Sequence, residues 1–129
     1  MTFFRIQAAT RNADNLLDPG HQFSRPWNGD TARTRVGVSV CDSIDDLALY
    51  LASHLGNGIP VRDGNWVIVE LEADLIPGAR PLDPEFETLV RPTRIVAVSP
   101  VGTDFIAKIE EAERMLASFD EAPLFDEED

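Results

Sequence analysis

Three places in this chain carry side chains with chemical potential: Arg5 in an apolar opening stretch, Ser39 inside Val38-Ser39-Val40, and the carboxylates of Glu85-Phe86-Glu87. A guanidinium presents a planar fork of donors to an anion, which a lysine does less specifically. Residues two apart on a strand share a face, so Glu85 and Glu87 are expected to point into one cleft. The two histidines form no acid-base or metal pair, because His21 falls in a loop and His54 late in an amphipathic helix. Cys41 has no Cys or paired His neighbours at zinc spacing, so no metal site is expected. Plainer roles stay open for the candidates. Arg5 can be a strand residue paired with a carboxylate, Glu85 and Glu87 the charged face of an edge strand, and Ser39 a server of backbone groups.

The elements that would position these side chains follow from periodicity. Residues 2–9 alternate Phe3, Arg5 and Gln7 with Phe4, Ile6 and Ala8, which reads as a strand with one wetter face. Residues 10–34 are rich in Asn, Asp, Gly and Pro, and read as a long ordered loop with a helical turn. Residues 35–41 alternate valines with Gly37, Ser39 and Cys41, a short strand. Asp42 or Ser43 then caps a helix whose Ile44, Leu47, Leu51 and Leu55 form one apolar stripe, with Tyr50 on its flank. Residues 66–71 read as a buried central strand. Residues 85–90 and 93–99 read as two further strands separated by Arg91-Pro92. Thr103 is expected to cap a last helix that buries Phe105, Ile109, Ala112 and Leu116, with Glu110 and Arg114 as an exposed pair.

The expectation is an α+β fold: a small split, mixed antiparallel β-sheet core with two amphipathic helices, one domain over residues 1–119. Residues 120–129, six of them acidic, read as a solvated tail in which Leu124 and Phe125 are available to dock. A lone cysteine, and a charge at Arg5 where a secretory signal would be apolar, point to a cytoplasmic protein. No apolar run approaches the ~20 residues that span a bilayer. With 11 basic and 23 acidic residues the net charge is -12, which argues against nucleic-acid partners. The charge is uneven. In residues 1–40 five arginines face three aspartates, for +2, and the remaining 89 residues carry -14. An anionic ligand is therefore expected at the N-terminal third.

The order Phe4-Arg5-Ile6, Val38-Ser39-Val40, Glu85-Phe86-Glu87-Thr88-Leu89-Val90 resembles the three motifs of the ADP-ribosyltransferase superfamily, in its Arg, Ser, Glu branch. The likeness spans most of residues 2–101. It implies that Arg5 contacts the phosphates of NAD, that Ser39 braces the nicotinamide pocket, and that Glu87 holds the nicotinamide ribose. Glu87 would favour loss of nicotinamide, because a fixed carboxylate stabilises the ribosyl cation that forms. Glu85 would help recognise the acceptor, a protein or a small molecule. The family's fuller Ser-Thr-Ser reads Ser39-Val40-Cys41 here. A second resemblance, to RES-type NAD-consuming toxins, rests on the aromatic-Arg-Ile strand and on Arg25-Pro26-Trp27-Asn28. Trp27 can stack on a nicotinamide or adenine ring, or pin its loop to the core. An alternative of another class is a non-catalytic acidic interaction protein, an immunity factor or inhibitor, that uses the -14 portion to occupy a basic partner.

Overall fold

The computed structural model describes residues 1–24, 35–54, 64–79, 81 and 86–128; the side chains of 24, 54 and 118–128 are not part of that description. Trp27 and Glu85, with Arg25-Pro26-Trp27-Asn28 and Leu55, lie outside the described residues. The elements in order are β1 (Thr2–Ala8), two 3-10 turns (Ala13–Leu17 and Pro19–His21), β2 (Phe23–Ser24), β3 (Arg35–Val36), β4 (Val38–Val40), α1 (Ile44–His54), β5 (Trp66–Leu75), β6 (Thr88–Pro100) and α2 (Thr103–Glu128). This is an α+β protein with a four-stranded antiparallel sheet of order β1-β5-β6-β4, a separate two-stranded pairing of β2 with β3, and two helices. No helix among the described residues is long and apolar enough to cross a membrane.

Both faces of β1 are covered, so the expected wetter face is absent. Phe3 (1% exposed) packs with Leu16, Val38, Val40, Val69, Leu71 and Val90, while Ile6 (4%) joins Cys41, Leu47, Leu51, Phe105 and Ile109 under the helices. Gln7 is also buried, at 3%, and its side chain accepts from Arg5 Nε and donates to the Arg11 carbonyl. The sheet curls until its two outer strands touch. Phe4 and Cys41 exchange backbone hydrogen bonds of 2.9 and 2.8 Å, joining β1 to the end of β4. That seam is where the polar cluster below is built.

Three boundaries differ from expectation for identifiable reasons. The strand expected over 35–41 breaks at Gly37, whose φ of 107° lets β3 pair with β2 and β4 with β6. A Cβ there would come within 2.8 Å of Ile76 Cδ1 and 3.1 Å of Leu89 Cβ. Gly37→Ala is accordingly expected to cost about 2–3 kcal/mol, from the positive φ and the overpacking together. Urea unfolding measures it, and a wild-type midpoint would contradict the close approach. Second, Arg91-Pro92 does not divide two strands, since β6 runs unbroken from Thr88 to Pro100. Proline lacks a donor, but β4 stops opposite Val90, and among the described residues no strand pairs with that side of β6 beyond it. The β5–β6 ladder shifts register at Glu70/Leu71 and Glu72/Ala73, where Val96 and Thr93 of β6 are the extra residues. Third, α2 starts at Thr103 rather than after it, with the Gly102 carbonyl accepting the Ile106 N–H at 3.1 Å. This helix continues through the acidic run to Glu128.

The helices are placed by their caps and stripes. Ser43 is the residue that caps α1: its Oγ accepts the Asp46 N–H at 3.0 Å. Leu47, Ala48, Tyr50 and Leu51 then meet Phe105 and Ile109 of α2 in one buried layer against Ile6. Across the solvent side, Lys108 Nζ reaches Asp45 Oδ1 at 2.8 Å in an ion pair between the helices, and the expected Glu110–Arg114 pair is not among the ion pairs of the described residues. The Lys108–Asp45 pair is exposed and contributes little to stability.

Candidate active site at the sheet seam

Each candidate side chain enters the seam from a different segment. Arg5 sits in the middle of β1, opposite Val69 of β5, where the alternation of the strand turns it toward β4. Its Nη1 donates to the Ser39 carbonyl at 3.0 Å and its Nε to Gln7 Oε1 at 3.2 Å. Ser39, the central residue of β4, donates its hydroxyl to Glu87 Oε2 in a short hydrogen bond. Glu87 lies immediately before β6, so the pairing of Ser39 with Leu89 brings its carboxylate alongside β4.

The Glu87 carboxylate is also gripped by a residue that motif reading passed over. Arg35 places Nη1 2.9 Å from Oε1 and Nη2 3.4 Å from Oε2, a two-pronged ion pair between β3 and the start of β6. The Glu87 side chain is 2% exposed and that of Arg35 14%. Two charges withdrawn from water lose much hydration, and only close geometry with further hydrogen bonds offsets it. Ser39 supplies one such bond. Arg35 Nε, by contrast, is buried with no hydrogen-bond partner among the described residues. A signal for Arg35 existed in the sequence: residues 35 and 39 share a face in a strand of period two, and so were candidates for one carboxylate. By composition alone Arg35 is one of the five arginines of residues 1–40.

Electrostatically, two guanidinium groups and one carboxylate leave the trio of Arg5, Arg35 and Glu87 with one surplus positive charge. Burial pulls the Arg5 guanidinium down to about 10, and the like charge of Arg11 acts in the same direction. Tyr50 and Glu87 oppose both effects. At neutral pH Arg5 therefore stays cationic while poorly hydrated, the condition in which an anion is held most strongly.

No family model, curated protein or solved structure matches the chain. Function must be read from the site. Of the residues singled out from the sequence, Arg5, Ser39 and Glu87 are brought together, and Trp27 and Glu85 lie outside the described residues. His21 is remote from the seam in its role, its Nδ1 lying 3.2 Å from Asp18 Oδ2 in an exposed turn. Among the described residues no group of His, Cys, Asp and Glu could hold a metal ion.

Chemically, the arrangement offers a fixed carboxylate with its orientation set from two sides, beside a buried cation. Such a carboxylate cannot turn away from a positive charge that develops next to it, and needs little reorganisation as that charge forms. The hydroxyl of Ser39 and the fork of Arg35 supply the orientation. Arg5 supplies a separate point of attachment for negative charge, linked to the carboxylate through the backbone and side chain of one residue, Ser39.

Proposed function

We propose that the seam is the NAD site of an ADP-ribosyltransferase-like domain, which cleaves the nicotinamide–ribose bond and passes ADP-ribose to an acceptor or to water. One observation carries this: Arg5, Ser39 and Glu87, distant in sequence and singled out for these roles, are linked through hydrogen bonds in one cluster. In the reaction the bond from ribose C1′ to the nicotinamide nitrogen breaks, and its electron pair leaves with nicotinamide. Glu87 stabilises the cation left at C1′. A hydroxyl of the acceptor or of water then bonds to C1′ and releases its proton to solvent. Arg5 holds the diphosphate throughout.

For this chemistry to run, the substrate must reach Glu87, which at 2% exposure requires Arg35 to turn aside from the carboxylate. The test is direct. Purified protein incubated with NAD is expected to bind it in calorimetry and to release nicotinamide, followed by chromatography. Neither binding nor release, over hours at high protein concentration, would remove this function.

The closed state of Glu87 favours a second reading, in which the cluster only ties strands together and the chain acts as an acidic interaction protein for a basic partner. Its support would be a partner released by salt, with NAD having no effect on the complex. A complex indifferent to ionic strength would count against it.

A further inference from the structure

Gln7 connects Arg5 to a second arginine. Its Oε1 accepts from Arg5 Nε at 3.2 Å, and its Nε2 donates to the Arg11 carbonyl at 3.5 Å. The chain reverses just after β1, where the Arg11 N–H donates to the Ala8 carbonyl at 3.1 Å, and this carries Arg11 back over the end of the strand that holds Arg5. The proximity is felt electrostatically, since after burial the charge of Arg11 is the next cause of the lowered Arg5 value. Arg5 is bonded to a carbonyl and an amide oxygen, and the exposed Arg11 side chain makes no hydrogen bond or ion pair among the described residues. In a chain with 23 acidic residues, two neighbouring arginines, of which Arg11 has no carboxylate partner among the described residues, are a place for an external anion.

We propose that Arg5 and Arg11 together cradle a diphosphate group, Arg5 from within the seam and Arg11 from the solvent side, with Gln7 as the positioning residue between them. A diphosphate has separated negative oxygens, so it can bridge two guanidinium groups and relieve their repulsion. The choice of a nucleotide as ligand rests on the NAD reading above, but recognition of the diphosphate does not require that any bond be broken.

Calorimetry with ADP, inorganic pyrophosphate and adenosine tests it on the full chain. Wild type is expected to bind ADP and pyrophosphate, with adenosine at least tenfold weaker. Arg11→Ala, an exposed substitution that leaves the core intact, should weaken ADP and pyrophosphate about tenfold and leave adenosine unchanged, as loss of one charge-assisted contact does. Arg11→Lys should recover part of the loss. No ADP binding by wild type, or equal ADP affinity in wild type and a folded Arg11→Ala, overturns the cradle. The two ideas fail separately. ADP binding that depends on Arg11 without nicotinamide release leaves the cradle and removes the enzyme, while NAD turnover with ADP affinity indifferent to Arg11 does the reverse.

Discussion

Replacing Arg35 with methionine should lower the free energy of unfolding by about 3–5 kcal/mol, because it strands the Glu87 charge in a site closed to water. The stem of the side chain is conserved in volume, so little of the loss is packing. What disappears is the 2.9 Å ion pair and its second prong, while the Ser39 hydroxyl, a neutral donor, stays on the carboxylate. The decisive comparison is the double variant Arg35→Met/Glu87→Leu. It removes both charges and the need to hydrate either, and should recover most of the loss. Denaturant unfolding of wild type, both single variants and the double variant at neutral pH closes the cycle. Equal losses in the Arg35→Met and double variants would show that the pair is not the buried bond described here.

Glu87→Gln should reduce nicotinamide release by about 100-fold or more while ADP remains bound. Glutamine nearly matches glutamate in shape and can still accept the Ser39 hydroxyl, so the substitution removes charge with little change in volume. If Glu87 stabilises a cation at C1′, loss of that charge acts on the transition state and appears in kcat, at the scale of removing one preorganised electrostatic group. ADP affinity, which the proposed cradle assigns to Arg5 and Arg11, reads binding separately. Because Arg35 is left without its counter-charge, the comparison belongs well below the variant's unfolding temperature, with circular dichroism to show that it is folded. Nicotinamide release at the wild-type rate from folded Glu87→Gln would exclude the assigned role. A fall in ADP affinity with kcat unchanged would point to the cluster as scaffold.

The two experiments bear on the same carboxylate from opposite directions. Arg35 and Ser39 hold the Glu87 carboxylate in one orientation, which suits a group that must meet a positive charge without reorganising. The same contacts shut it from solvent. If NAD is bound, the energy that turns Arg35 aside must come from elsewhere on the ligand, and the diphosphate is the part with charge enough to supply it. In that proposal the Arg5–Gln7–Arg11 thread, running from the seam out to the exposed Arg11, bears on the chemistry at Glu87.

Much of the scaffold was legible residue by residue. The alternation around Phe3 to Ala8 marked β1, the apolar run Val67-Ile68-Val69 marked β5, and the spacing of Ile44, Leu47 and Leu51 behind Asp42 or Ser43 marked α1. These signals need only near neighbours: a strand repeats every two residues and a helix every 3.6, so the order of apolar and polar side chains suffices. The same reasoning failed at Gly37 and Pro92, where a local rule met a partner elsewhere. Gly37 breaks its strand through its φ of 107°, at a place where Ile76 and Leu89 leave no room for a side chain, and Pro92 continues its strand because β4 has already ended.

The residues with chemical potential were likewise visible from their types, and Arg5, Ser39 and Glu87 could be named before any contact was known. Their meeting could not. Arg5 reaches Ser39 across 34 positions, Ser39 reaches Glu87 across 48, and Arg35 reaches Glu87 across 52. Those distances close only when the sheet curls enough for Phe4 and Cys41 to bond at the seam. A guanidinium in the linear chain has many carboxylates to choose from, and its choice depends on which ones the packed sheet has stripped of water and brought within 3 Å. Element type was thus a property of short-range pattern, whereas the charge pairing at the site followed from long-range closure and desolvation, neither of which any short window of residues contains.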